Sequence, residues 1–319
     1  MKTNYEILVE ICDNKEVIIP VSEHRKPDGS MDVEKNLNTW NKALNKLEKI
    51  KLWENGTPNY DDRAPLQPEP SIVFIPGINQ NKKSGTIIVA CGGGFETRTG
   101  CEGFYVAKYF VEAGFNCAIL TYRLKPYGRM DAMHDMQRAI RLLRAKKEEL
   151  HITDKVVCMG FSAGGMLSGN CATHYDDGNA NSNDIIEQQS CRPDGIVMGY
   201  GAFCFAGLPG GFFVDPFGDK IMNPFFADKN ELFYFSPEVN ITPNTPPFFI
   251  WQTNSDDPRN SFSLGQALTA NGVPFEMHLF PQGVHGLALA DGNNDLGLDL
   301  PQVHRWTDLC VGWLHNLGL

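Results

Sequence analysis

The chain has 319 residues, 42% of them hydrophobic and 21% charged, enough for one large core and short of what two full domains use. A formal net charge of −10 argues against nucleic acid or an anionic membrane surface as a partner, because phosphate groups are held by clustered Lys and Arg. No apolar run reaches the length of a membrane span, residues 1–10 lack the apolar stretch of a secretory signal, and the nine cysteines have no C-x-x-C or framework spacing. The expected location is therefore the cytoplasm.

In chain order, residues 1–50 read as an N-terminal arm with two edge strands, Tyr5 to Ile11 and Glu16 to Val21, followed by a polar helix around Val33 to Lys51. A Pro-rich stretch, Pro58 to Pro70, comes next. From Gly85 onward short β-rich runs alternate with helical stretches, the pattern of a parallel sheet with crossover helices. Strands are predicted at Thr86 to Ala90, Phe115 to Tyr122, Lys155 to Met159, Gly195 to Tyr200, Phe248 to Gln252 and Val273 to Phe280. Helices are predicted at Glu102 to Ala113 (closed by Gly114), Asp131 to Leu150, Ala163 to Tyr175, Ser261 to Asn271 and Gln302 to Leu317. The central strands are purely apolar, as a sheet covered by helices on both faces requires. Arg123 and Asp135 are expected to pair at a strand-helix crossing, and the basic run Arg138 to Lys147, interleaved with Ile140, Leu142 and Leu143, reads as a solvated helix face. Phe203 to Thr245 is rich in Gly, Pro and Phe without a regular period; it reads either as a cap-like insertion beside the site or as packing at the sheet edge. The expected class is α/β, with a catalytic unit over residues 51–319.

Gly160-Phe161-Ser162-Ala163-Gly164-Gly165 lies between the apolar run Val156 to Met159 and a stretch of small residues reaching Thr173, and reads as a nucleophile elbow. A serine hydroxyl is a poor nucleophile, so hydrolytic chemistry needs it on a tight strand-to-helix turn, exposed and beside backbone N–H groups. The general base is assigned to His285, in Phe280-Pro281-Gln282-Gly283-Val284-His285-Gly286, the best placed of eight histidines because it follows a predicted strand and is flanked by glycines. The orienting carboxylate should follow the strand Phe248 to Gln252, in Asn254-Ser255-Asp256-Asp257-Pro258; Asp257, just before the proline, is preferred over Asp256. Oxyanion donors are expected at Gly93 and Gly94 in Cys91-Gly92-Gly93-Gly94-Phe95, together with the Ala163 N–H at the start of the elbow helix. A substrate pocket is expected to draw on Phe95, Phe161, Met166, Phe203 and Phe205. No His/Cys/Asp cluster has metal spacing, and the glycines lack the dinucleotide fingerprint, so neither metal nor cofactor is expected. The order Ser, Asp, His and the alternation of strands and helices are those of the α/β-hydrolase fold.

Seven motifs carry a family resemblance over about residues 50 to 319. They are Leu52-Trp53-Glu54-Asn55-Gly56-Thr57-Pro58, the Cys91 to Phe95 run, Tyr122-Arg123-Leu124, Asp135-Met136-Gln137-Arg138-Ala139, the elbow, Arg192-Pro193-Asp194 and the Phe280 to Gly286 run. Together they make the chain resemble the α/β-hydrolase esterases of the acetyl-xylan-esterase-like, carbohydrate-deacetylase group. The resemblance implies a carboxylic-ester hydrolase with a Ser-His-Asp triad and an acyl-enzyme, acting on short acyl groups such as acetyl in small-molecule or oligosaccharide esters. Cys91 stands where the group usually has Pro or His, Met166 where a His is common, and the segment after Asp257 is shortened. A serine peptidase or amidase on the same scaffold, and a non-catalytic binding protein that keeps the fold, are the alternative readings. A monomer or a symmetric homodimer is expected.

Overall fold

A strand that is apolar on both faces is stable only between two layers of helices, and the central strands of this chain are of that kind. The computed structural model describes residues 2–61, 63–78, 82–201, 212–214, 220–222 and 229–319. Helices α1 (Asn4–Asp13) and α2 (Val33–Leu44) lead into strands β1 (Ile50–Lys51), β2 (Ser71–Ile75) and β3 (Thr86–Ala90). A π-helical turn, Cys101–Tyr105, runs into α3 (Val106–Glu112), followed by β4 (Asn116–Thr121), α4 (Arg129–Ala145), β5 (Val156–Phe161), α5 (Ala163–Thr173) and β6 (Gly195–Gly199). A two-stranded hairpin, β7 (Phe212–Val214) with β8 (Lys220–Met222), and α6 (Lys229–Tyr234) come before β9 (Phe248–Thr253), α7 (Arg259–Ala270), β10 (Phe275–Phe280), α8 (Pro301–His304) and α9 (Trp306–Asn316).

The main sheet runs β1-β2-β4-β3-β5-β6-β9-β10, antiparallel at β1/β2 and β2/β4 and parallel at every other pairing. Side chains alternate between its faces. Ile87, Val89, Val157, Met159, Val197 and Phe249 share one buried cluster with Leu8, Trp40, Phe110 and Leu314 from α1, α2, α3 and α9. Ile88, Ala90, Val156, Cys158, Ile196 and Ile250 share the other with Met136, Ile140, Leu167 and Leu264 from α4, α5 and α7. Each fully buried aliphatic side chain contributes roughly 1.5–3 kcal/mol, so the two clusters hold the sheet in place from both sides. Strand β5 lies mid-sheet with β3 and β6 as neighbours, and its last residue delivers the chain directly to Ser162.

The six predicted strands are present, each within a few residues of its expected limits. The N-terminal edge strands are not. Tyr5 to Ile11 belongs to α1, where Thr3 and Glu6 form a capping box: Thr3 Oγ1 accepts the Glu6 N–H at 3.2 Å and Glu6 Oε2 accepts the Thr3 N–H at 2.8 Å. Leu8, Ile11 and Cys12 then fall on one buried helical stripe, which decides the helix over the strand. Glu16 to Val21 is a turn and an irregular segment, tied down where Asp295 Oδ1 accepts the Ile19 N–H at 3.0 Å. Helix α2 stops at Asn45 rather than running to Lys51, which pairs in β1. The chain also holds β2, an apolar run between Pro70 and Pro76 absent from the expected elements. Among the described residues no helix is long and apolar enough to cross a membrane.

Helix α4 is not solvated along its basic run. Arg138 and Arg141 are buried: Arg138 donates to the Leu52 carbonyl at 2.8 Å and to Glu187 at 2.6 Å, and Arg141 to Asp176 at 2.6 Å. Arg123 and Asp135 do pair. The fully buried Asp135 carboxylate accepts the Arg123 backbone N–H at 2.7 Å and Nη2 at 2.8 Å, while Arg123 Nη1 donates to the Pro58 carbonyl at 2.6 Å. The pair thus locks the end of β4 to α4 and to the Leu52–Pro58 segment. Asp135→Ala, which leaves a guanidinium buried without its main partner, is expected to lower unfolding free energy by about 3 kcal/mol or more in urea titrations.

Candidate active site

Ser162 occupies the turn between β5 and α5 with φ 51° and ψ −122°, a region that a residue with a side chain rarely occupies. Two glycines permit it. A Cβ on Gly160 would collide with the Gly164 carbonyl, and one on Gly164 with the Ala90 carbonyl of β3, so strand, helix and neighbouring strand meet backbone to backbone. The Ser162 N–H is taken by the Gly199 carbonyl at 3.1 Å, at the end of β6.

His285 comes from the loop after β10, as expected, and is 7% exposed. Its Nε2 lies 2.7 Å from Ser162 Oγ and its Nδ1 2.9 Å from Asp256 Oδ2. An ionised carboxylate only accepts, so Nδ1 carries the proton and donates to Asp256, leaving Nε2 to accept the serine O–H. The imidazole is therefore held in the tautomer that can receive a proton from Ser162. Asp256 is 1% exposed, and burial pushes its carboxyl above the usual carboxylate value while the adjacent His285 opposes that shift.

Asp257, the carboxylate preferred from sequence, does not meet His285. It adopts φ 39° and forms a two-point ion pair with Arg259, with Nε and Nη2 each 2.6 Å from its oxygens. The turn after β9 accounts for the exchange. The Asp256 N–H returns to the Thr253 carbonyl at 3.2 Å, and the buried Gln252 side chain donates to the Asp256 and Asp257 carbonyls, the second at 3.2 Å. Gln252 Oε1 in turn accepts Ser261 Oγ–H at 2.5 Å, clamping the acid loop to α7. Sequence reasoning missed Gln252, although a lone amide closing the apolar run Phe248 to Trp251 is a signal for it.

The glycine run after β3 lies against the elbow. A Cβ on Gly92 would stand 2.7 Å from Ser162 Cβ, and Gly93 and Gly94 turn the chain with φ of 117° and 63°. The Gly92 N–H is committed to Glu102 Oε2 at 2.5 Å, which removes it from the donors this loop can offer, and Ala163 opens α5 directly after Ser162. The expected pocket residues are placed less favourably. Phe161 is fully buried in the aromatic core, 5.7 Å from the Tyr200 and Trp306 ring centroids, because the strand alternation that turns Val157 and Met159 to that face takes Phe161 with them. Met166 is buried in the cluster on the opposite face. Phe95 adjoins the glycines with φ 58°, 5% exposed, its ring 5.0 Å from the Arg129 guanidinium carbon. Phe203 and Phe205 lie outside the described residues.

Residues 73–267, from β2 into α7, match the BD-FAE family. The chain belongs to that family. BD-FAE proteins are α/β-hydrolase esterases, the group that the sequence motifs resemble; the matched span contains Ser162 and Asp256, and His285 follows it. An endo-1,4-β-xylanase B of Butyrivibrio fibrisolvens is 31% identical over an alignment 253 residues long that covers 75% of this chain and 38% of that protein, so this BD-FAE chain spans well under half the length of its curated relative. Among solved structures, an acetyl ester-xyloside bifunctional hydrolase of Caldicellulosiruptor lactoaceticus is similar at 34% identity and a TM-score of 0.73, with 85% of this chain and 96% of that one covered. A sugar hydrolase of Lactococcus lactis is similar at 25% identity and a TM-score of 0.62, with coverage of 84% and 98%.

The two adjacent carboxylates give opposite expectations. Asp256→Ala should slow labelling of Ser162 by a fluorophosphonate by roughly 10³ to 10⁴. Asp257→Ala, losing a surface-side ion pair, should leave the labelling rate within about threefold of the parent.

Proposed function

We propose that the protein is a serine carboxylesterase that removes short acyl groups, acetyl foremost, from carbohydrate or small-alcohol esters. The observation that carries the reading is the His285 imidazole bridging Ser162 Oγ at 2.7 Å and Asp256 at 2.9 Å; the Gly93, Gly94 and Ala163 amides are the three oxyanion donors that the reading assigns. Ser162 Oγ attacks the ester carbonyl carbon while His285 Nε2 takes its proton. Negative charge then builds on the carbonyl oxygen, where the three amides donate to it; removing one such donor typically costs about 3 kcal/mol of transition-state stabilisation. Asp256 stabilises the imidazolium without itself taking the proton. The C–O bond breaks as His285 returns the proton to the leaving alcohol, giving acyl-Ser162. Water, deprotonated by His285, attacks the acyl carbon; the acid leaves and Ser162 Oγ regains its proton.

The carbohydrate side of the reading is supported by similarity to a xylanase-named protein and to an acetyl ester-xyloside hydrolase. The eight described cysteines are all free and buried, which supports a reducing compartment such as the cytoplasm.

Two measurements test this. Ser162→Ala should abolish both p-nitrophenyl acetate hydrolysis and fluorophosphonate labelling; hydrolysis retained in a clean preparation overturns the serine mechanism. Across p-nitrophenyl esters of increasing chain length, and acetylated xylo-, manno- and cello-oligosaccharides, kcat/KM should be highest for acetate and fall steeply beyond butyrate. A flat profile overturns the short-acyl assignment.

A further inference from the structure

Behind the glycine run sits a buried acid that the reaction above does not use. Glu102, on the π-helical turn, is 1% exposed. Its Oε2 accepts the Gly92 N–H at 2.5 Å and its Oε1 accepts the Tyr200 O–H at 2.7 Å. The Tyr200 oxygen in turn accepts the Ala288 N–H at 2.8 Å, and the Tyr200 ring meets the His285 imidazole edge-on with centroids 5.1 Å apart. A Cβ on Gly92 would stand 2.7 Å from both Glu102 Oε2 and Ser162 Cβ, so carboxylate and nucleophile flank the same glycine.

One continuous series of contacts therefore joins the loop carrying Gly93 and Gly94 to the loop carrying His285, and Glu102 is its midpoint. The residue type is specific. Two donors converge on the side chain, and the Tyr200 oxygen is already accepting from Ala288, so an acceptor is needed at both ends. An ionised carboxylate provides that; an amide offers one acceptor and sets its own N–H against a donor.

We propose that Glu102 is a positioning residue: its two oxygens hold the oxyanion loop and the imidazole loop at a fixed spacing around Ser162. The effect on rate rests on the esterase reading, whereas the tether between the loops does not. Burial raises the Glu102 carboxyl to about 7, against the pull of the Tyr200 and Gly92 donors and of His285. The other titratable groups facing it are Asp295, Cys101, Cys91 and Tyr122. Above that value the carboxylate accepts at both oxygens; below it, a proton placed on one oxygen faces a donor and the tether weakens as pH falls.

The test compares the parent with E102Q, Y200F and the double variant, reading p-nitrophenyl acetate kinetics, their pH profile, and deuterium exchange of the 92–94 and 286–289 segments. E102Q should lower kcat by about 10²-fold, the penalty of displacing catalytic groups by an ångström, with KM unchanged. Y200F should lose less, and the double variant should be no worse than E102Q. Exchange should quicken in both segments, and the acid limb of the parent profile should lose one of its ionisations in E102Q. A folded E102Q with parental kcat and an unshifted profile overturns the proposal, as do losses that multiply in the double variant. If E102Q does not fold, Y200F alone decides: parental exchange in both loops overturns the tether. Should the parent fail to hydrolyse the ester while exchange rises in the variants, the esterase reading falls and the tether stands.

Discussion

A Cβ on Gly160 or on Gly164 would run into a backbone carbonyl, and that exclusion governs the whole site. With β3, β5 and α5 in backbone contact, Ser162 has no room to take up helical or extended geometry and is held at φ 51°. A conformation of this kind costs roughly 1–3 kcal/mol and persists only where the surroundings over-determine it. Here five parallel pairings of the sheet and the two helical layers supply the offset. The hydroxyl is displayed at the sheet's end because the fold leaves it nowhere else to go. On the proposed serine mechanism, the geometry needed for attack is set before any substrate arrives.

Around that turn, polar groups serve alignment more than stability. Buried ion pairs such as Arg123 with Asp135 lose much of their Coulombic gain to desolvation, so their worth lies in fixing which backbone segments meet. Arg123 ties β4, α4 and the Leu52–Pro58 segment to one point, and Gln252 does the same for the end of β9 and the start of α7. Each sits at the carboxyl end of a strand, the edge where an α/β sheet places its chemistry.

How much of this could be read from residues alone depends on the range of the forces involved. The parallel strands and the elbow were legible because they are written in local terms: apolar runs of strand length, and glycines bracketing a serine. The choice between Asp256 and Asp257 was not, since neighbouring carboxylates differ only in which way the turn sends them. That direction is fixed by the Gln252 clamp and the Arg259 pair. Phe161 misled because proximity to Ser162 in the chain says nothing of which sheet face a strand residue takes. At the N-terminus the capping box was present in Thr3 and Glu6, but Tyr5, Ile7 and Val9 alternate as a strand would, and burial of Leu8, Ile11 and Cys12 overrode that pattern. The arginines of α4 looked solvated because their partners, Asp176 and Glu187, come from a loop far along the chain.

The first fifty residues touch the π-helical turn and the residue that precedes it. Val17 abuts Gly100, the Trp40 ring abuts Gly103 at 2.8 Å from where a Cβ would stand, and Tyr105 O–H donates to the Cys12 carbonyl at 2.6 Å. Those helices are a backing plate for the turn that carries Glu102, so the front of the site inherits its rigidity from the rear of the molecule. Trimming away those fifty residues would strip that plate from the turn while leaving Ser162, Asp256 and His285 in the chain.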